Sequence, residues 1–152
     1  MVEQILDKAE KGAVSRKILE ALTEWFEVEE SREQYIAECA DWIFLVAKEN
    51  GKPVGFLCLK ETGKATAEVA VMGVLKEYQH SGIGRQLVEK AKEIAAAEGY
   101  SFLQVKTVQM GKYEDYDKTN LFYLACGFKE FEVFSTLWDE ENPCQVYVMA
   151  LR

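Results

Sequence analysis

The sequence predicts a mixed α/β (α+β) fold: a central mixed β-sheet flanked by helices, built as a single domain over residues 1–152. Three observations lead there. Helical and strand periodicities follow one another in the order α-α-β-β-β-α-β-α-β-β, which combines hairpin-linked strands with helical crossovers. A length of 152 residues suits one hydrophobic core. No internal repeat, low-complexity tract or linker divides the chain.

Residues 13–26 carry Val14, Ile18, Leu19, Leu22, Trp25 and Phe26 at the spacing of one helical face. Ser31-Arg32-Glu33-Gln34 has the form of a capping box and predicts the start of a second, shorter helix. Residues 42–48 and 54–62 are strand-like, and Glu49-Asn50-Gly51-Lys52-Pro53 between them predicts a hairpin. A third strand covers residues 66–75. The helix that follows buries Leu87, Val88, Ala91, Ile94 and Ala95, and Gly99 is placed to end it. Residues 102–108 predict another strand, and residues 116–126 a helix stopped by Gly127. Strands at 131–134 and 146–151 complete the set, joined by a loop that contains Trp138 and Asn142-Pro143.

Composition narrows the function. With 49% hydrophobic and 29% charged residues, the chain is ordinary for a soluble protein. No apolar run approaches the roughly 20 residues of a membrane span, and the first residues lack the pattern of a secretory signal. Cys39, Cys58, Cys126 and Cys144 form no C-x-x-C pair, and His80 is the only histidine. A structural zinc site is therefore not expected, and reduced core thiols in a cytoplasmic protein are. A net charge of −8 disfavours a nucleic-acid partner. Residues 1–50 hold twelve carboxylates against six basic residues. That excess reads either as a solvated helical face or as an electrostatic lure for a cationic substrate.

The segment Gln79-His80-Ser81-Gly82-Ile83-Gly84-Arg85 joins a predicted strand to a predicted helix. Two glycines in that place let backbone N–H groups converge on an anion, or merely make a tight turn. A Rossmann fingerprint would need a small residue where Leu87 stands, and a P-loop would need Gly-Lys-Ser/Thr. Gln-x-x-Gly-x-Gly between strand and helix resembles the acetyl-CoA signature of the GNAT superfamily of N-acetyltransferases. The resemblance begins at Ala67-Glu68-Val69-Ala70-Val71-Met72-Gly73-Val74 and continues to Tyr123-Leu124-Ala125-Cys126-Gly127-Phe128. It covers most of the chain after Trp42. The N-terminal helices match it only loosely, and the family's usual first strand is not identified. Ser81 stands where the family often has a basic residue, and Gln79 where it often has Arg.

The resemblance implies a set of roles. Gln79, His80, Ser81, Gly82, Ile83, Gly84 and Arg85 would surround the pyrophosphate of acetyl-CoA, which puts His80 at the phosphates rather than at the thioester. Glu68 would be the general base, directly or through water. The backbone N–H of Met72 would hold the thioester oxygen and Val74 would pair with the pantetheine arm. Gly73 between them marks a place where another chain approaches closely. Tyr116, Thr119, Asn120 and Tyr123 share a helical face, with Leu121 and Leu124 turned elsewhere. There Tyr123 would protonate the departing thiolate, while Thr119 or Asn120 touches the pantetheine arm. No metal is implied.

The acceptor would be chosen by the acidic stretch 24–33 and by the loop 136–142, which includes Trp138 as an apolar or cation–π wall. Both are negative and favour a cationic primary amine: a polyamine, an aminoglycoside-like compound or a lysine side chain. Two other activities fit the same sequence, a protein lysine or N-terminal acetyltransferase and a catalytically idle acetyl-CoA sensor. A homodimer through an exposed sheet edge is compatible with the fold.

Overall fold

A computed structural model describes residues 1–151. The chain runs through β1 (Val2–Ile5), α1 (Lys8–Ala21), α2 (Glu29–Cys39), β2 (Ile43–Glu49), β3 (Lys52–Gly63) and β4 (Thr66–Val74). It continues through α3 (Ile83–Ala97), β5 (Phe102–Val108), α4 (Glu114–Ala125), β6 (Lys129–Asp139) and β7 (Asn142–Ala150). One seven-stranded sheet takes the order β1-β2-β3-β4-β5-β7-β6. It is mixed, as expected: β4 and β5 pair in parallel, while β1–β2, β2–β3, β5–β7 and β6–β7 pair antiparallel. Two compact units share it, Met1–Lys60 with Ala70–Ile94 and Glu61–Val69 with Ala95–Arg152. No helix among the described residues is long and apolar enough to cross a membrane.

The first unit packs α1 and α2 on β1–β3. Its core includes Val14, Ile18, Leu19 and Leu22 of α1, Ile36 and Cys39 of α2, and Phe44, Val46, Phe56, Cys58 and Val71. The α1 helix starts and ends five residues earlier than the periodicity predicts. The Asp7 side chain caps it by accepting the Glu10 N–H at 2.8 Å. Trp25 and Phe26 lie past its end, where their N–H groups turn back to the Leu22 carbonyl. The expected capping box is not used either. α2 begins at Glu29 behind Val28, which offers no side-chain cap. Glu33 instead accepts from both terminal guanidinium nitrogens of Arg16 at 2.7 and 2.8 Å, a tertiary contact that draws it to α1. At the other end of α2, buried Lys11 donates to the carbonyls of Ala40 and Trp42, supplying partners for a helix terminus.

β1 is the strand the sequence did not disclose. It has four residues, with Glu3 and Gln4 both exposed, so no alternation marks it. The β2–β3 hairpin forms as expected, with Asn50 at φ 52° and Gly51 at φ 78° making a two-residue turn between Glu49 and Lys52. Gly73 does mark a close approach, but α1 makes it. A Cβ there would stand 2.9 Å from Leu22 Cδ1 and 3.2 Å from Ile18 Cγ2. Gly73→Ala is expected to destabilise the protein by about 1–3 kcal/mol through overpacking, measured as a lower urea midpoint at unchanged slope.

The second unit packs α4 on β5 and β7. Leu103, Val105, Tyr123, Phe128, Tyr147 and Met149 are buried there. Gly99 (φ 93°) and Gly127 (φ 102°) end α3 and α4 in the left-handed conformation. The last two strands are longer than the sequence suggests. Residues 136–139, expected in an acceptor loop, continue β6, and Asp139 accepts the Asn142 N–H at 2.9 Å to close a hairpin.

Candidate active site

In the first unit, β4 leads through a 3-10 turn at Lys76–Tyr78 into the glycine segment. His80 (φ 66°) and Gly82 (φ 89°) are both left-handed, so the chain reverses twice before α3. Gly82 is the position where a side chain would strain the backbone. The Gln86 N–H bonds to the Gly82 carbonyl at 3.0 Å, which makes Gly82 the cap. The amides of Ile83 and Gly84 then lie in the first turn, outside the i→i−4 ladder, at the positive end of a 15-residue helix. His80, Ser81, Gly82 and Arg85 are exposed. Ile83 buries its side chain, and a Cβ on Gly55 would meet it. That residue therefore offers its backbone alone.

Side chains of the loop hold its shape. Gln79 Nε2 donates to the Val74 carbonyl at 2.9 Å, tying the segment back to β4, and the Ser81 hydroxyl donates to the Tyr78 carbonyl. Met72 and Val74 are half-buried on β4. Of the acidic stretch, Glu24 pairs with Lys76, and Glu33 with Arg16, which also pairs with Glu20 of α1. Glu27, Glu29 and Glu30 form no ion pair among the described residues.

In the second unit, Glu68 is buried, and its Oε1 accepts from Lys106 Nζ at 2.7 Å and Gln104 Nε2 at 3.3 Å. Gln104 also donates to the Thr62 hydroxyl at 2.8 Å. Glu68 and Gln104 are register partners across the β4–β5 ladder, so Glu68, Gln104 and Lys106 share one face of the sheet. Val105, the register partner of Tyr147, faces the other way. On that second face sits α4, where Tyr123 lies edge-on to Phe128 at 5.6 Å and tilted against Tyr147 at 6.1 Å. Glu68 and Tyr123 therefore stand on opposite faces.

The polar stripe of α4 does point inward. Asn120 and Tyr123 are buried, while Leu121 is 57% and Leu124 37% exposed. Within the stripe the roles divide. Asn120 accepts from the Tyr147 hydroxyl at 2.5 Å and donates to the carbonyls of Val108 and Tyr116 at 2.8 and 2.6 Å. Its amide is taken by the protein, and it fixes α4 on β5 and β7. The Thr119 hydroxyl donates to the Asp115 carbonyl at 3.2 Å. The Tyr123 hydroxyl has no hydrogen-bond partner among the described residues. Burial pushes its phenol well above the ordinary tyrosine range, so it holds its proton. Lys106, Gln104 and Tyr147 went unnoticed in the sequence. The alternation Leu103-Gln104-Val105-Lys106 was the signal that a polar face lay there.

All four cysteines are buried thiols, none in a disulfide. Burial lifts Cys144 to about 11 and moves Cys58 upward too. Neither has the lowered pKa of a nucleophilic thiol. No group of three or more His, Cys, Asp or Glu residues able to hold a metal occurs among the described residues.

Sheet order, crossover helix and glycine segment together have the architecture of an acyltransferase domain. The family model for the GNAT acetyltransferase domain matches residues 40–130. An uncharacterised N-acetyltransferase of Chlorobaculum tepidum is 31% identical over 124 residues, covering 82% of this chain and 72% of the relative. The chain belongs to the GNAT family of N-acetyltransferases. Two solved structures share its fold. A GNAT-family protein from Desulfovibrio desulfuricans is 18% identical with a TM-score of 0.87, over 100% of this chain and 99% of the other. An aminoglycoside 6'-N-acetyltransferase complexed with coenzyme A is 18% identical with a TM-score of 0.78, over 100% and 97%.

Proposed function

We propose that this chain transfers the acetyl group of acetyl-CoA to the primary amine of a cationic small molecule, by direct attack in a ternary complex. The observation that carries the reading is the left-handed Gly82 capping α3, with the amides of Ile83 and Gly84 behind it. A pyrophosphate is the ligand that such a helix start takes. Gln79, His80 and Ser81 shape the entry, and Arg85 adds charge near the phosphates. Along β4, the Met72 N–H polarises the thioester carbonyl and Val74 meets the pantetheine arm. Thr119 lines the same arm. Asn120, with its amide engaged, acts by positioning the α4 face. The buried thiols favour direct attack over an acetyl-cysteine intermediate, and they suit a reducing cytoplasm.

Tyr123 protonates the departing thiolate, and Glu68 takes the amine proton. Both of Glu68's bonds fall on Oε1, which leaves Oε2 to accept that proton, directly or through one water. Glu68→Gln is expected to lower kcat by about 100-fold with acetyl-CoA affinity kept. A loss of thermal stability with kcat unchanged would reduce the carboxylate to a partner of Lys106.

For the acceptor, Glu27, Glu29 and Glu30 keep uncompensated negative charge where a cation would be drawn in. Initial rates over a panel of amines test the reading. Polyamines and aminoglycosides should lead in kcat/KM, with rates falling as salt rises. An anionic amine as best substrate overturns the choice of acceptor. A protein lysine as best substrate would transfer the same chemistry to a macromolecule.

A further inference from the structure

Two of the buried cysteines face each other inside the first unit. Cys39 is the last residue of α2 and Cys58 lies in the middle of β3. Both are 0% exposed, and their sulfurs stand 3.3 Å apart, with the Cys58 thiol donating. Separate elements fix the two positions. Ile36 and Cys39 point α2 into the core of the unit, and β3 presents Phe56 and Cys58 to that same core. Pairing with Phe44 of β2 sets the register of Cys58. On the helix side, the buried Lys11 ammonium holds the end of α2 through the carbonyls of Ala40 and Trp42, at 3.3 and 2.8 Å.

We propose that Cys39 and Cys58 are an oxidisable dithiol, which hydrogen peroxide converts to an intramolecular disulfide that ties α2 to the sheet. Bonded sulfurs stand about 2.05 Å apart, so the pair must close by about 1.3 Å. Small turns of both side chains within their rotamer wells supply that distance. In the first step the thiolate of one cysteine attacks a peroxide oxygen, becomes a sulfenic acid and releases water once hydroxide is protonated. The second thiol then displaces the sulfenic oxygen as a second water. One S–S bond replaces two S–H bonds, each sulfur gives up one electron, and the peroxide takes both.

Burial keeps this pair a switch rather than a permanent bond. It pushes the Cys58 thiol well above its ordinary range, Cys39 adds to the effect, and the Lys11 ammonium draws it partly back. The thiolate is therefore scarce, and an oxidant much larger than peroxide does not reach sulfurs without exposed surface. Once formed, the bond encloses residues 39–58, with β2 and its hairpin inside. The helix that follows the acidic stretch then cannot lift from β3 without breaking it.

The pair lies wholly in the first unit and acts independently of the acetyl transfer. The test exposes native protein to hydrogen peroxide, alkylates it in denaturant and maps it by mass spectrometry. Two of the four thiols should disappear into one peptide pair joining Cys39 to Cys58, two hydrogens lighter and restored by dithiothreitol. The thermal midpoint of the oxidised form should rise by at least about 3 °C. Cys58→Ala and Cys39→Ala should each show neither the link nor the rise. Oxidation of exposed Met110 marks that the peroxide has acted. Four reduced thiols in protein with oxidised Met110 overturn the proposal, as does a link through Cys126 or Cys144. A Cys39–Cys58 link without a higher midpoint overturns the tie between helix and sheet.

Discussion

Replacing Tyr123 with phenylalanine should lower kcat about 100-fold or more and leave acetyl-CoA affinity nearly unchanged. The ring keeps its contacts with Phe128 and Tyr147, so the substitution removes one hydroxyl and little else. On the proposed reading that hydroxyl matters at one moment, when the thiolate leaves and needs a proton. The neutral phenol that burial preserves is the form able to donate to the departing sulfur. The same burial has a pH signature. The folded phenol is raised above its unfolded value of about 10. The stability that goes with it is intact below pH 10 and is lost as pH rises beyond. Urea midpoints taken across that range should fall more steeply for the wild type than for Tyr123→Phe. Equal kcat in the two proteins would end the acid role.

Gly84→Val should remove acetyl-CoA binding, raising Kd at least about 100-fold by calorimetry, while circular dichroism and thermal midpoint stay close to wild type. Gly84 lies inside the first turn of α3 and is absent from the left-handed positions, so its backbone conformation does not bar a side chain. On the proposed reading a branched Cβ would nevertheless stand where the amides approach the phosphates. Gly82 would be the poorer probe. At φ 89° any side chain strains the loop, and lost binding would not separate contact from conformation. Unchanged affinity in Gly84→Val would mean that the helix start is a turn and nothing more.

What the sequence disclosed was what its punctuation controls locally. Asn50-Gly51 fixed a hairpin, Gly99 and Gly127 ended helices, and the strand–loop–helix around Gly82 stood where its spacing put it. The failures share one cause, which is tertiary context. Ser31 and Glu33 looked like a cap until Arg16 claimed the glutamate from another helix. Gly73 marked a close approach, without saying that the side chains of Ile18 and Leu22 make it. β1 and the full length of β6 carry no burial alternation, because one is short and the other is exposed on both faces.

In the candidate site, the resemblance to the acetyltransferase family, added to residue type and spacing, singled out Glu68 and Tyr123. They did not reveal that Lys106 holds the first, that Tyr147 saturates Asn120 beside the second, or that the two stand on opposite faces. Those facts depend on the register of β4, β5 and β7, which no local pattern encodes.

Initial velocities with acetyl-CoA and a polyamine varied together test the central claim most directly. Direct attack in a ternary complex gives intersecting double-reciprocal lines, with one CoA thiol released for each acetylated amine. Parallel lines, or acetyl-CoA bound tightly with no acetylated product from any amine, would contradict it.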